Sequence, residues 1–461
     1  MLMRPALTIL VFTSFLISAC GGTSSSPRPQ ASTPVTAQCD SNATYSEASP
    51  PPIEHVFVFV LENKSFDEIY GPGSPAVYLR ETLVPAGQLL THFYGTSHAS
   101  TGNYISMIGG QAPNAASHAD CAVFAQWTEF NPLQPVLEYG QANGVGCMYP
   151  ARFPTLVDEL ELNNAVNGSK YTWRGWMEDM ALEQSGQLRV QGRPADNSCT
   201  GPALNTIDDT NGSDTTEQYA ARHNPFLFYR SVVGNAETAE DFARCDRNVV
   251  DLHTGSAVQG VPGLQTALLK RSTTPNYNLI VPDNCHNGHD SGAQCADSSG
   301  GPGGLAEADQ FLQTWVPLIM KSPAYREAGM IVILFDESNF GTGGTEDYDA
   351  CCGMELDGGL KHRGADTGLN GLLGPGGGRF GAVVLSPFTK PNTENSTPYN
   401  HYSFLRTLEN LFGLDKVHID PNAPDVEPAI QAKTPGYIGY AGLPAEEGMH
   451  AFGSDVYNCQ E

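Results

Sequence analysis

Beyond about residue 50 the chain is punctuated by short apolar runs. His55-Val56-Phe57-Val58-Phe59-Val60-Leu61 is nearly unbroken, and so are Asn278-Leu279-Ile280-Val281, Met330-Ile331-Val332-Ile333-Leu334-Phe335 and Ala382-Val383-Val384-Leu385. Continuous rather than alternating apolarity predicts strands covered on both faces, as in a parallel sheet. Between the runs, Leu305, Ala308, Leu312, Trp315, Val316 and Ile319 recur near helical period, which predicts a helix over Leu305–Met320. His401–Phe412 predicts a shorter one. Strands alternating with helices argue for an α/β sandwich. Residues 185–215 and 339–378 are dense in Gly, Asp, Asn and Ser and read as long loops or insertions. No internal linker divides residues 51–461, so one large domain is expected there.

The N-terminus has a different pattern. Arg4 is followed by an almost wholly apolar stretch from Ala6 to Ala19, too short to span a bilayer but suited to a secretory signal over residues 1–19. Ile17-Ser18-Ala19-Cys20-Gly21 resembles a bacterial lipobox, which implies lipidation of Cys20; the alternative is ordinary cleavage near Ala19. The Ser-, Thr- and Pro-rich stretch that follows, to about residue 50, reads as a flexible tether. The expectation is an exported lipoprotein on the bacterial cell surface or in the periplasm, touching membrane through its anchor alone. Ten cysteines besides Cys20 suit a disulfide framework in an oxidising compartment, and no CxxC pair supports a zinc–thiolate site. Adjacent Cys351 and Cys352 are expected to bond to different partners, because a vicinal bridge strains the backbone.

Charge narrows the partners. Over 461 residues, 24 Lys and Arg stand against 50 Asp and Glu, a net charge of −26. Such a surface has no footprint for a nucleic-acid backbone and no attraction to an anionic membrane. A hydrophobic content of 40% excludes a wholly disordered chain.

In open α/β sheets ligands bind beyond the carboxyl ends of the strands. The first run is followed by Glu62-Asn63-Lys64-Ser65-Phe66-Asp67, the second by Pro282-Asp283-Asn284-Cys285-His286-Asn287-Gly288-His289-Asp290, the third by Asp336-Glu337. Three strand ends thus bring oxygen and imidazole ligands to one edge, a pattern suited to a metal. Thr96–Gly110 starts polar and turns into an apolar helix, with Ser100 or Thr101 at its start. Helix capping explains such a serine. So does a nucleophile whose phosphoryl adduct the positive helix end would hold, given a metal or base to activate it.

These segments, in this order, resemble the bacterial phosphoesterase family of the alkaline-phosphatase superfamily, which contains acid phosphatases and phospholipases C. Glu62–Asp67 looks like its ENRSFD signature, and His98-Ala99-Ser100-Thr101-Gly102-Asn103-Tyr104 like its HPSxxNY motif. Pro282–Asp290 looks like its PNxxNDGHD stretch, Ile333–Glu337 like its hydrophobic-DE segment, and Tyr399–Glu409 like its YxHYSLLRTxE helix. The resemblance spans about residues 53–415 and implies an alkaline-phosphatase-like three-layer sandwich with a mostly parallel sheet.

It also implies roles. Ser100 would be the nucleophile and Asn103 a donor to a phosphoryl oxygen. Glu62, Asn63, Asp336 and Glu337 would hold a divalent metal ion (Ca, Mg, Mn or Zn), the oxygen-rich set favouring the harder ions. Asp283, His289 and His401 stand where the superfamily places second-metal ligands, and His289 and His401 as ligands would pull toward zinc or iron. In a one-metal enzyme His286, His289 and His401 would instead bind phosphate or protonate the leaving group. His98 and His223 are further substrate-binding candidates, although a buried, satisfied His223 is as good a reading. Asn287 stands at a common Asp position, and Tyr348-Asp349-Ala350-Cys351-Cys352 replaces the family's usual YDHVPPP. Trp173, Trp176, Tyr171 and Phe226 read as core or as a lipid wall, and His362 and Arg363 as exposed loop residues, with binding of substrate phosphate as the alternative. The expected activity is phosphomonoester hydrolysis through a phosphoserine. The alternatives are a phospholipase C acting on phospholipid or phosphoinositide diesters, and a non-catalytic binding lipoprotein.

Overall fold

Each apolar run is a strand of one eight-stranded sheet in the computed structural model. The structure describes residues 43–180, 199, 201–210, 218–235, 240–295, 301, 303–339, 347–354, 376–416, 418–419, 433–434 and 436–459. The signal segment, Cys20, Cys39, most of the tether, most of both predicted insertions, His362 and Arg363 lie outside these residues. In chain order the strands are β1 (His55–Leu61), β2 (Gln88–Leu90), β3 (Trp173–Met177), β4 (Val249–Asp251), β5 (Tyr277–Val281), β6 (Gly329–Phe335), β7 (Ala382–Leu385) and β8 (Thr393–Asn395). They lie in the order β8-β2-β7-β6-β1-β5-β3-β4.

The run β6-β1-β5-β3-β4 is parallel throughout. All residues of β1, β5 and β6 are buried, so both faces of the sheet are covered, as their unbroken apolarity predicts. β7 is equally buried but runs antiparallel to β6 and β2, because burial on both faces does not itself fix strand direction. Trp173 and Trp176 belong to a core strand and form no lipid wall. Trp173 stacks on Phe226, and the Trp176 indole N–H donates to Asn278.

Four helices matter below: α1 (Ser100–Gly109), α2 (Leu156–Asn167), α3 (Gly304–Lys321) and α4 (His401–Phe412). α4 has the bounds its periodicity predicts, capped by Asn400, whose side chain accepts the Ser403 N–H. α1 ends at Gly110 (φ +61°), where an added Cβ would strike the Ile438 carbonyl oxygen at 2.3 Å. Residues 43–49, read from sequence as tether, pack onto the fold, with the Tyr45 ring edge-on to Phe388.

Disulfides join Cys121 to Cys147, Cys199 to Cys245 and Cys285 to Cys295, and Cys459 is disulfide-bonded as well. Cys351 and Cys352 bond to each other, contrary to the sequence expectation. Both are buried in a small apolar cluster with Ala112, Met354, Tyr402, Tyr440, Leu443 and Met449, which holds no other cysteine. Cys352 takes up a positive φ of 67°. A bridge set this dense fits a chain matured in an oxidising, exported environment. Among the described residues no helix is long and apolar enough to cross a membrane.

Candidate active site

Sheet register builds the site. Leu61 pairs with Phe335, so the next residues, Glu62 after β1 and Asp336 after β6, emerge side by side at the carboxyl edge. The Asn63 N–H donates to Asp336 Oδ1 (3.1 Å). α1 points its first residue at the same spot. Ser100 Oγ donates to Glu62 Oε2 (3.0 Å), while the Tyr104 hydroxyl, one turn on, donates to Glu62 Oε1. Ala99, just before the helix, sits at φ +76°, outside the usual range for a residue with a Cβ. Ser100 is therefore presented to the carboxylates by a forced corner.

Around this hub the carboxylates crowd. Glu62 and Asp336 are wholly buried and Glu337 nearly so. Burial, and then the Asp336 charge, push Glu62 well above the ordinary carboxylate range. Burial raises Asp336 to about 6 despite the hydrogen bonds that oppose it. Glu337 is raised by burial first, then by Asp336, Asp120 and Glu62. Buried like charges cost free energy unless a cation offsets them. Two acceptor oxygens here, Asn63 Oδ1 and Asp336 Oδ2, are buried without a hydrogen-bond partner. Orphaned acceptors beside Glu62 and Glu337 fit a hard divalent cation.

A second centre lies further along the same edge. Glu178, directly after β3, and Asp283, two residues after β5, meet at His286, with ligand atoms all within 4.8 Å of one another. Three such groups can hold an ion. Here Glu178 also takes the His253 ring (2.9 Å), and Asp283 Oδ1 accepts the N–H groups of Cys285 and His286. Burial opposes a charge on His286, but the Asp283 and Glu178 carboxylates prevail and hold it protonated up to about 11. Asp283 and His286 are thus placed together with Glu178, on a loop that also touches the first centre, where the Glu62 N–H donates to the Asn287 carbonyl (2.9 Å).

The remaining predicted residues divide. His98 is fully buried, one ring nitrogen on Glu337 Oε2 (2.6 Å) and the other at the Asp347 carbonyl (2.7 Å). Asn103 is also buried. Its oxygen accepts the Thr96 and Ser97 N–H groups and its amide donates to the Ser97 carbonyl, so it pins the loop before Ser100. His401 is buried behind Asp336, its Nε2 2.6 Å from the Asp336 carbonyl, and burial lowers it to about 4. His223 stacks on Tyr104, with Nε2 3.6 Å from Glu62 Oε2, and burial keeps it neutral. His289 is part-exposed, its Nδ1 on Asp290 (2.6 Å).

A cleft of about 390 Å³ opens over the first centre, lined by Asn63, Lys64, Ala99, Asp120, His289, Glu337 and Asn339. A larger hollow of about 550 Å³, lined by residues such as Trp127 and Arg230, holds none of the predicted residues. Four site residues escaped the sequence reading as actors. Lys64 and Tyr104 lie inside quoted motifs. Glu178 follows a strand, so the strand-end rule would reach it once β3 is recognised. Asp120 accepts the Thr101 N–H (3.0 Å) and is placed beside the Cys121–Cys147 bridge; no local pattern marks it.

Strand-end carboxylates, a helix-start serine and a cleft between them are the geometry of a phosphoester hydrolase. Residues 74–415 match the model of the phosphoesterase family, and the chain belongs to that family. Over 439 residues it is 18% identical to an acid phosphatase of Aspergillus fumigatus, covering 95% of this chain and 72% of that protein. Among solved structures it is similar to a protein of the alkaline phosphatase superfamily from Vibrio parahaemolyticus (11% identity, TM-score 0.39, 81% of this chain and 69% of that one). Another similar structure is the PsFucS1 sulfatase from Pseudoalteromonas sp. (11% identity, TM-score 0.37, 78% and 68%).

Proposed function

We propose that the protein is a metal-dependent phosphomonoesterase, acid-phosphatase-like, that works through a phosphoseryl intermediate on Ser100. The observation that carries the reading is the 3.0 Å hydrogen bond from Ser100 Oγ to buried Glu62, at the first residue of α1 and beside Asp336. Glu62, Asn63, Asp336 and Glu337 would hold the divalent ion, whose chemistry is to neutralise developing charge and ease serine deprotonation. Glu62 orients the Ser100 hydroxyl and takes its proton as the Oγ–P bond forms. The P–O bond to the alcohol breaks in line with it. His289, on the cleft rim, gives that alcohol its proton. Water then cleaves the phosphoseryl ester, releasing inorganic phosphate and restoring the hydroxyl. Tyr104 and His98 hold Glu62 and Glu337 in place. We further infer that residues 1–19 are a signal, that Cys20 carries lipid, and that residues 51–461 form one catalytic domain. A phospholipid diester as substrate has less support, because most of the aromatic residues read as a lipid wall lie in the core.

The test is hydrolysis of p-nitrophenyl phosphate beside its phosphocholine diester, with Ca²⁺, Mg²⁺, Mn²⁺ or Zn²⁺ and with chelator, for wild type and Ser100→Ala. Monoester turnover that disappears with chelator and with Ser100→Ala is expected. Turnover of the diester alone would replace the reading with a phospholipase C. A folded, metal-loaded protein inactive on both would favour a binding lipoprotein.

A further inference from the structure

We propose that Lys64 receives the phosphoryl oxygens of the substrate, and that its ammonium makes this cleft select phosphomonoesters over phosphodiesters. The inference rests on the phosphomonoesterase reading above and deepens it. Among the described residues lining the cleft Lys64 is the only Lys or Arg, and two others, Asp120 and Glu337, are acidic. Two of the amides at the start of α1 are already held by carboxylates. The Ala99 N–H is bonded to Glu337 and the Thr101 N–H to Asp120. A phosphate group entering here meets acidic side chains on the helix side, and a cation on another wall would add to the charge that the proposed metal supplies.

Lys64 is held where it can serve. Its Nζ donates to the Asn63 carbonyl (3.0 Å) and to the Gly288 carbonyl (2.8 Å). One carbonyl lies just after β1 and the other in the loop after β5, so the ammonium is clamped between two strand ends. An ammonium has three donors, and the third has no partner among the described residues. Gly288 is next to His289, which places the cation beside the proposed leaving-group acid. A clamped charge spends little entropy on meeting its ligand. A phosphomonoester near neutral pH carries up to two negative charges, with a second pKa of about 6, whereas a diester carries one. Removing the cation must therefore weaken the monoester more.

The experiment uses the purified protein and two variants. Lys64→Gln keeps an amide donor for the two carbonyls and removes the charge, and Lys64→Arg restores the charge. Folding is checked by thermal denaturation, with Lys64→Met replacing Lys64→Gln should the latter not fold. Inorganic phosphate binding is measured by calorimetry, and kcat/KM for p-nitrophenyl phosphate and bis-p-nitrophenyl phosphate. Loss of one charge-assisted contact predicts a ~10–100-fold fall for phosphate affinity and for the monoester. The diester should change much less, and Lys64→Arg should recover most of the loss. Phosphate binding unchanged in a folded, uncharged variant would overturn the proposal, as would an equal fall for both esters. Should the wild type hydrolyse neither ester, the phosphomonoesterase reading fails on its own, and the phosphate titration still decides the role of Lys64.

Discussion

Replacing Asp336 by Asn should make the metal-free protein more stable while disabling it. Asp336 is wholly buried against Glu62, and its pKa rises from 3.8 to about 6. That rise corresponds to about 3 kcal/mol between the charged and neutral forms. A carboxyl raised in the folded state contributes stability below 3.8 that is lost as pH climbs through about 6. At about pH 7.5 the wild type has lost that contribution, whereas an amide never ionises. The site also accommodates an amide. Its oxygen still accepts the Asn63 N–H, and its nitrogen can donate to Glu62, so the contact between the two side chains is kept without the second charge. Asp336→Asn should therefore raise Tm by a few degrees in chelator at neutral pH, an advantage that vanishes by about pH 4. Adding the supporting metal should stabilise the wild type and not the variant, and kcat should fall at least ~10²-fold. A variant less stable than wild type at neutral pH in chelator, or equally shifted at both pH values, would refute the account of crowded carboxylates.

Two other changes probe the frame around the site. Glu409 on α4 and Glu159 on α2 are wholly buried carboxyls in contact, and Glu409 is raised by burial first and by Glu159 next, with the Ile438 N–H on its Oε1 (2.8 Å) opposing. Stability held below the ordinary 4.5 is lost as pH rises, so Glu409→Gln should gain about 1–3 kcal/mol near neutral pH and little in acid, read by urea unfolding across pH. Tyr104→Phe leaves the stack on His223 but removes the hydroxyl from Glu62; kcat for p-nitrophenyl phosphate should fall ~10-fold with KM little changed, and a KM-only effect would count against Tyr104 as the group that orients Glu62.

The first centre was legible because strand-end chemistry is local: once β1 and β6 are seen as buried runs, Glu62 and Asp336 follow directly, while the polar-to-apolar pattern put Ser100 or Thr101 at the start of α1 and the family resemblance chose Ser100. What could not be read was which strand ends are neighbours. The loops after β1, β5 and β6 look equivalent in sequence, yet β5 lies between β1 and β3, and it is on the β3 side that Asp283 and His286 meet Glu178. β3 itself was hidden because Trp173-Arg174-Gly175-Trp176-Met177 mixes a charge and a glycine into the run. Arg174 is tolerated there because its guanidinium lies over the Trp176 ring and bonds the Arg247 carbonyl. Lys64 could not be assigned a task for a similar reason: its second acceptor, Gly288, is 224 residues away in the chain.

The bridge between Cys351 and Cys352 differs in kind from the others. Bonds spanning 26, 46 and 10 positions shrink the space an unfolded chain can explore. A bond between immediate neighbours encloses no loop, so that source of stabilisation is absent. Its worth is local shape. It stiffens a corner whose Cys351 carbonyl receives the Asn400 side-chain amide, the residue that caps α4 just before His401. The pair acts as a hinge pin set into the wall behind Asp336, a place where rigidity over one peptide unit counts for more than any restraint on the chain as a whole.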